Sequence, residues 1–163
     1  MVTIVANSGK GFGSRLRRLI DRLDRDVQAL YREAGVAFEP RWFSVFDALR
    51  DGGPATVGDL AQRLGVTHAA VSQVRSALQA EGLIETCRDP ADGRRHSLAL
   101  TDKGKATATR LEPLWHAINA ATAEILTAEA PGLLAGLEDF AVALDRRPLK
   151  ARVDDILTPS ETA

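Results

Sequence analysis

Residues 56–82 read TVGDLAQRLGVTHAAVSQVRSALQAEG and contain two short helical patterns separated by a glycine. A threonine precedes each pattern, and the hydroxyls of Thr56 and Thr67 are suited to accept the first free N–H groups of a helix. Gly65 and Gly82 follow the two patterns, as is typical of helix C-termini. Two short helices joined by a tight glycine turn predict a helix-turn-helix.

The apolar positions and the residues that follow extend this prediction to a winged helix. Asp59 stands three residues after the first cap, in a weak capping-box arrangement. Residues 83–88 are typical of a strand, residues 89–93 are turn formers, and residues 96–100 are typical of a returning strand. The apolar positions at helical spacing are Leu60, Ala61, Leu64, Ala70, Val71, Val74, Ala77 and Leu78.

Helical patterns flank the winged helix, which we place at about residues 40–101. One covers residues 14–34, with Ser14 as a candidate N-cap, and the other covers residues 102–146, with Thr101 as its cap. Residues 1–13 are expected to form a flexible tail, and residues 148–163 a C-terminal tail. The predicted fold class is therefore mainly α with a small β-hairpin wing (α+β), and the main domain spans residues 14–147.

Composition excludes several classes of protein. The 163 residues fit one domain, and the single cysteine excludes a disulfide framework within the chain and a thiolate-rich metal site. Residues 1–105 hold 16 basic and 13 acidic residues, whereas residues 106–163 hold 5 and 9, so the first part is weakly suited to an anionic partner. No apolar segment is long enough for a membrane helix, and no secretory signal is expected. We therefore expect a cytoplasmic protein.

These motifs resemble the MarR family of bacterial transcription regulators over residues 14–146. The similarity is carried by the helix-turn-helix at residues 56–84, the turn DPADGR at residues 89–94 and the segment LALTDKG at residues 98–104. The resemblance implies a homodimer that binds palindromic double-stranded DNA, usually as a repressor released by a small molecule or an oxidant. Oxidant-sensing members carry a reactive cysteine in the first helix, and this chain has its cysteine at Cys87 instead.

The second helix of the helix-turn-helix has the side chains expected of a helix that enters the major groove. Small residues allow a close approach to base edges, Gln73 can pair with adenine, and Arg75 can pair with guanine or phosphate. Ser72 and Ser76 can donate to phosphate oxygens. The alternative is an ordinary solvated helix face. The candidate contacts are Thr67, His68, Ala69, Ser72, Gln73, Arg75 and Ser76.

The wing supplies a second set of candidate contacts, namely Arg88, Asp92, Arg94 and Arg95. An arginine at this position can enter the minor groove, where narrow A·T tracts concentrate negative potential. The resemblance further implies that Arg94 inserts into the groove and that Asp92 orients it. The alternative is that Asp92 and Arg94 form an exposed ion pair of little energetic value.

Two further predictions concern assembly and regulation. One domain presents one such helix, and specific binding usually needs two half-sites about 34 Å apart, so helices 14–34 and 102–146 are predicted to dimerise. A small effector is predicted to bind near Trp42, Phe46, Trp115 and His116, with core packing as the alternative for all four. Cys87 is interpreted as a buried, unreactive thiol, although the adjacent Arg88 can lower its pKa.

The sequence does not favour catalysis. It contains no nucleophile elbow, paired-carboxylate motif or dinucleotide fingerprint, so we predict neither an enzyme nor a cofactor. His68 and His96 lack the neighbouring ligands that a metal site requires, so no metal is predicted. The alternative function is a winged-helix protein-interaction module without specific DNA binding.

Overall fold

The computed structural model describes residues 9–88 and 96–158, which form helices and one antiparallel hairpin. This agrees with the predicted fold class. The chain divides into two compact units, Met1–Trp115 and His116–Ala163. The elements are α1 (Phe12–Glu33), a 3-10 turn (Pro40–Trp42), α2 (Phe43–Gly52), α3 (Val57–Leu64), α4 (His68–Ala80), β1 (Ile84–Arg88), β2 (His96–Leu100), α5 (Asp102–Glu124), a π-helical turn (Ile125–Glu129), α6 (Leu133–Arg146) and α7 (Leu149–Leu157).

The helix-turn-helix is held by the caps that the sequence predicts. The Thr56 hydroxyl accepts from the Asp59 amide at 3.1 Å, and the Asp59 carboxylate accepts from the Thr56 amide at 3.1 Å. This reciprocal pair is a capping box at the start of α3. Gly65, at a φ of 64°, ends α3 in the left-handed conformation, and the Thr67 hydroxyl accepts from the Ala70 amide at 3.2 Å. The turn between α3 and α4 is therefore fixed locally at both ends.

The wing is an antiparallel pair in which Ile84 lies opposite Leu100 and Arg88 opposite His96. A backbone bridge ties the pair to the segment before α3, because Ala55 and Leu98 exchange hydrogen bonds of 3.1 and 2.8 Å. The base of the wing is thereby anchored on the helix-turn-helix. The predicted contacts Asp92, Arg94 and Arg95 lie outside the described residues, as does the side chain of Arg88.

Thr101 joins the wing to α5. Its hydroxyl donates to the Gly82 carbonyl at 2.7 Å and accepts from the Gly104 amide at 3.0 Å, which caps α5 as predicted. The first turn of α5 also lies directly against the backbone of residue 83. A Cβ added to Gly104 would lie 2.1 Å from the Leu83 carbonyl oxygen. Only glycine allows this helix to approach the backbone so closely.

An aromatic cluster forms the core of the first unit. Phe38 lies at its centre and packs edge-to-face on the four other rings, with centroid distances of 5.1 to 5.9 Å. The indole N–H of Trp115 donates to the Tyr31 hydroxyl at 3.0 Å inside the cluster. Since Tyr31, Phe46 and Trp115 come from α1, α2 and α5, the cluster holds three helices together around Phe38. Its members are Tyr31, Phe38, Trp42, Phe46 and Trp115, each at most 5% exposed.

Both ends of the helical region extend further than the sequence predicts. The first helix begins at Phe12 rather than after Ser14, because Gly11 adopts a φ of 72° and takes the N-cap position. Residues 149–157 form α7 where a tail is expected. Within the second unit, Arg152 donates to the Ala143 carbonyl of α6 at 2.7 Å. This contact helps to hold a helix that is too short to be stable alone.

No helix among the described residues is both long enough and apolar enough to cross a membrane. The longest, α5, runs through Pro113 without interruption. Apolar side chains on α1 and α6 are instead left exposed, and Leu23 is 54% and Leu134 55% exposed.

We expect Gly104→Ala to lower the free energy of unfolding by about 1–3 kcal/mol, because the added methyl group would overlap the Leu83 carbonyl. Urea denaturation measures the change. The matched control is Gly58→Ala, also within a helix of the first unit, where the new Cβ would meet its nearest neighbour at an ordinary 3.5 Å. Gly58→Ala should be neutral or stabilising by up to about 1 kcal/mol. Equal effects of the two substitutions would contradict the close approach.

Tyr31 gives a direct test of the aromatic core, since it is the only tyrosine in the chain. Burial raises its pKa above the ordinary value of 10.0, and the hydrogen bond from Trp115 lowers it by less. The neutral phenol therefore stabilises the fold below pH 10, and this stabilisation is lost as the pH rises through the folded pKa. Near-ultraviolet titration should show phenolate formation above pH 10 in buffer and near pH 10 in urea. Identical midpoints would contradict burial of the hydroxyl.

Candidate nucleic-acid interface

The exposed face of α4 consists mainly of small and polar side chains. Ala69, Gln73 and Ser76 are exposed and follow one another at helical spacing, whereas Val71 and Leu78 on the opposite side are fully buried. Thr67 and His68 are exposed at the N-terminal end of the helix, and Ser72 and Arg75 are half-buried at the edge of the face. The structure therefore brings all seven predicted α4 residues to one side or one end of the helix.

The charge on this helix suits an anionic partner. The residues of α4 include no carboxylate and one arginine, and the free N–H groups of its first turn add partial positive charge. The Nε atom of Arg75 is buried without an acceptor among the described residues. This guanidinium therefore lacks a carboxylate partner within the described part of the chain and keeps its full charge available for a ligand.

The two serines of α4 differ in what they can offer. The Ser76 hydroxyl donates to the Ser72 carbonyl of the preceding turn at 3.0 Å, so its hydrogen is already used and its oxygen remains an acceptor. The Ser72 hydroxyl has no hydrogen bond to a described group and can donate without breaking one. The structure therefore makes Ser72 the better phosphate donor of the two, which sequence reasoning does not distinguish.

The structure shows a contact between α4 and the wing that the sequence does not predict. The side-chain amide of Gln79 donates to the Thr86 hydroxyl on β1 at 2.9 Å. Lys103 adds a second tie, because its ammonium group donates to the Glu81 carbonyl at the end of α4 at 2.6 Å. No local pattern signals either contact, since the partners belong to different elements. The first contact ties α4 to the base of the wing, and the second ties the end of α4 to the start of α5.

The predicted effector residues lie in two different settings. Trp42, Phe46 and Trp115 belong to the packed aromatic cluster, where Phe46 is fully buried. The indole N–H of Trp42 is buried and has no acceptor among the described residues. His116 is exposed and belongs to the second unit. The first three therefore have the core role that sequence analysis gives as the alternative, with one buried donor left unsatisfied.

The remaining chemistry-bearing side chains do not cluster. Within residues 9–88 and 96–158, no group of three or more His, Cys, Asp or Glu side chains is placed to hold a metal ion. Cys87 is a free, half-buried thiol on β1. His96 is exposed at the start of β2.

Comparison with known proteins gives one family match and several structural matches. Residues 38–95 match the model of the MarR family. No curated protein shows a significant match to the sequence. The structure of the transcriptional repressor CouR bound to a 23-mer DNA duplex is 29% identical, with a TM-score of 0.63, and the match covers 80% of this chain and 92% of that one.

Two regulators whose structures concern small molecules share the fold. Bordetella bronchiseptica BpsR, whose DNA binding is regulated by 6-hydroxynicotinic acid, is 24% identical with a TM-score of 0.60 over 83% of this chain and 94% of that one. Streptomyces coelicolor PcaV, solved with its natural ligand, is 24% identical with a TM-score of 0.61 over 85% of this chain and 94% of that one.

Proposed function

We propose that this chain, whose winged helix is that of the MarR family of transcriptional regulators, is a homodimeric repressor that binds a palindromic DNA operator in the cytoplasm and is released by a small molecule. The family match at residues 38–95 supports the resemblance, which the sequence predicts over residues 14–146. Members of this family are transcriptional regulators and not enzymes. The observation that carries the proposal is the exposed, carboxylate-free face of α4 on a helix capped at Thr67.

In this proposal α4 enters the major groove. Gln73 stands at the centre of the exposed face, where its amide can both donate to and accept from adenine. Ala69 is small enough for close approach, and Arg75 can contact guanine or phosphate. Ser72 and Thr67 are placed at the edge and the start of the helix, as phosphate contacts require, and His68 and Ser76 complete the contact surface.

The wing enters the neighbouring minor groove in the same proposal. The support is the basic sequence between β1 and β2 together with the family resemblance, which assigns insertion to Arg94 and its orientation to Asp92. Arg88 and Arg95 add positive charge to the same segment. A base anchored by the Ala55–Leu98 bridge gives such a wing a fixed origin.

Dimerisation is supported by apolar surface that the described residues leave uncovered. On α1, Leu19, Ile20 and Leu23 are 46%, 56% and 54% exposed and share one face of the helix. Leu134 and Leu137 of α6 are exposed to a similar degree. Exposed apolar rows of this kind are typical of association surfaces. A two-fold dimer would present two copies of α4 to two half-sites.

Release by a small molecule is supported by the two ligand-responsive regulators that share the fold. The proposed effector site keeps Trp42, Phe46 and Trp115, which belong to the first unit, and not His116, which belongs to the second. The unsatisfied indole N–H of Trp42 favours a ligand with an acceptor oxygen, because that oxygen would accept from a buried donor that has no partner among the described residues.

The first test is selection of binding sites from a random double-stranded DNA pool. A palindrome with half-sites about one helical turn apart, bound with an affinity that falls steeply with salt, is the expected result. Failure to enrich any sequence would contradict the proposal and favour the protein-interaction module.

Gln73→Ala should weaken binding to the selected site by about 1–3 kcal/mol and remove the preference at one position of each half-site. Gln62→Ala, at an exposed glutamine of α3, is the matched control and should bind like the wild type.

Arg94→Glu should abolish binding without unfolding the protein. Both effects are measured by fluorescence anisotropy, and unchanged affinity in either variant would remove that residue from the interface.

Leu23→Glu should convert the dimer to a monomer, because it places a charge on the exposed apolar face of α1. Arg18→Glu changes charge on another face of the same helix and should leave the dimer intact. Sedimentation velocity at micromolar concentration measures both. A wild-type protein that sediments as a monomer would overturn the dimer model.

A further inference from the structure

A cavity of about 640 Å³ lies in the first unit and borders the aromatic cluster where Arg50, one of its lining residues, contacts Trp115. Its walls come from the end of α2, the base of the wing and the first half of α5. The apolar part of the lining consists of Leu49, Pro54, Ala99, Leu100 and Ala108. This volume falls within the roughly 300–1,000 Å³ of small-molecule sites, and such sites combine an apolar surface with a few polar groups.

One end of the cavity is occupied by an ion cluster around Arg50. The guanidinium contacts Asp47 and Asp51 at 2.9 Å each and lies 5.3 Å from the centre of the Trp115 ring. Burial raises the pKa of Asp47, Arg50 lowers it, and Asp51 raises it again. Asp47 and Asp51 thus already satisfy the Arg50 charge, and this end of the cavity does not offer a free cation to a ligand.

The other charged groups of the lining give the cavity an acidic balance. Lys105 is paired with Asp102 at 3.2 Å, so the second cation is also satisfied. Glu85 and Glu112 complete the charged lining. Among the described side chains that line the cavity or pair with its lining, two cations therefore face five carboxylates.

Glu85 is the carboxylate most available to a ligand. Its side chain is exposed on β1 and has no ion pair or hydrogen bond with a described group. A carboxylate without a partner, beside an apolar wall, suits a ligand that carries a cation on an apolar body. The cation pairs with the carboxylate while the apolar body of the ligand packs against the wall.

We propose that this cavity binds a small organic cation, an amine carried on an apolar body, with the ammonium group on Glu85 and the body against Ala99, Leu100 and Ala108. The ligand class differs from an acceptor-bearing effector at Trp42, so this is a second ligand site. The site joins the wing to α5 and α2, so its occupant contacts the element that carries the minor-groove residues.

This regulatory role rests on the proposed function. A ligand between β1 and α5 changes the position of the wing base relative to α4, whose spacing is held by the Gln79–Thr86 hydrogen bond. Binding to DNA requires a particular distance between α4 and the wing, because the two elements contact neighbouring grooves. A ligand in the cavity changes this distance and thereby lowers the affinity for the operator.

The test compares two probes with the same apolar body and opposite charge, phenylbutylammonium and phenylbutyrate. Isothermal titration of the full chain at neutral pH should show the amine binding about two- to fivefold more tightly, the gain expected from one exposed ion pair. Amide chemical shifts should move at Glu85, Ala99 and Ala108. Equal or tighter binding of phenylbutyrate, or shifts confined to other regions, would overturn the proposal.

Variants assign the ion pair to Glu85. Glu85→Gln should reduce the affinity for phenylbutylammonium about two- to fivefold and leave the circular dichroism spectrum unchanged. Glu33→Gln, at an exposed carboxylate of α1 outside the cavity, is the matched control and should bind the amine like the wild type. Loss of affinity in both variants, or in neither, would contradict the role of Glu85.

The regulatory step has a separate readout. Phenylbutylammonium should weaken binding of the selected operator by the wild type and not by Glu85→Gln. Amine binding without any change in operator affinity would overturn the effector role. If the chain selects no DNA, the proposed function fails while the calorimetric result still decides whether the cavity binds amines.

Discussion

The contact between Gly104 and the backbone of residue 83 is the constraint on which the winged helix depends. It allows the first turn of α5 to lie directly on the chain that leaves α4 and enters the wing. Thr101 completes the junction, since its one hydroxyl links the Gly82 carbonyl to the Gly104 amide. The end of α4, the start of β1 and the start of α5 therefore meet at one point, and a shift of one moves the others.

The aromatic cluster has a complementary role in the packing of the first unit. Tyr31, Phe46 and Trp115 bring α1, α2 and α5 around Phe38, and the Trp115–Tyr31 hydrogen bond orients two of the rings. A further contact, from Arg110 to the Ala34 carbonyl at 2.6 Å, ties the end of α1 to α5. Apolar burial of this kind accounts for the stability of the first unit, while the polar junction at Thr101 determines the direction of α5.

Function in this proposal follows from what these two arrangements leave exposed. The buried Val71 and Leu78 orient α4 so that Gln73 and its small neighbours face outward. The same packing leaves a cavity between α2, the wing and α5, where Glu85 has no partner among the described side chains. A DNA-contacting face and a ligand site thus share the base of the wing, which gives a physical route from one to the other.

Local chemistry predicted the helix-turn-helix closely. The threonine caps, the glycine stops and the apolar spacing of residues 56–82 act within a few residues, so the sequence alone specifies α3, α4 and the paired strands. Of the seven residues predicted on α4, Ala69, Gln73 and Ser76 lie on its exposed face, whereas Ser72 and Arg75 are half-buried at its edge. Local chemistry did not predict α7, because that helix depends on a contact from Arg152 to a carbonyl on α6.

The sequence by itself thus determined the winged helix and the order of its elements, since each depends on short-range patterns. Only the tertiary structure decided which side chains are available for binding. Aromatic residues are common both in protein cores and in ligand pockets, so their type alone does not assign Trp42, Phe46 and Trp115 to either. Their packing in the folded chain places them in the core. Glu85 and the cavity beside it depend on elements far apart in the chain, and local patterns carry no information on distances between such elements.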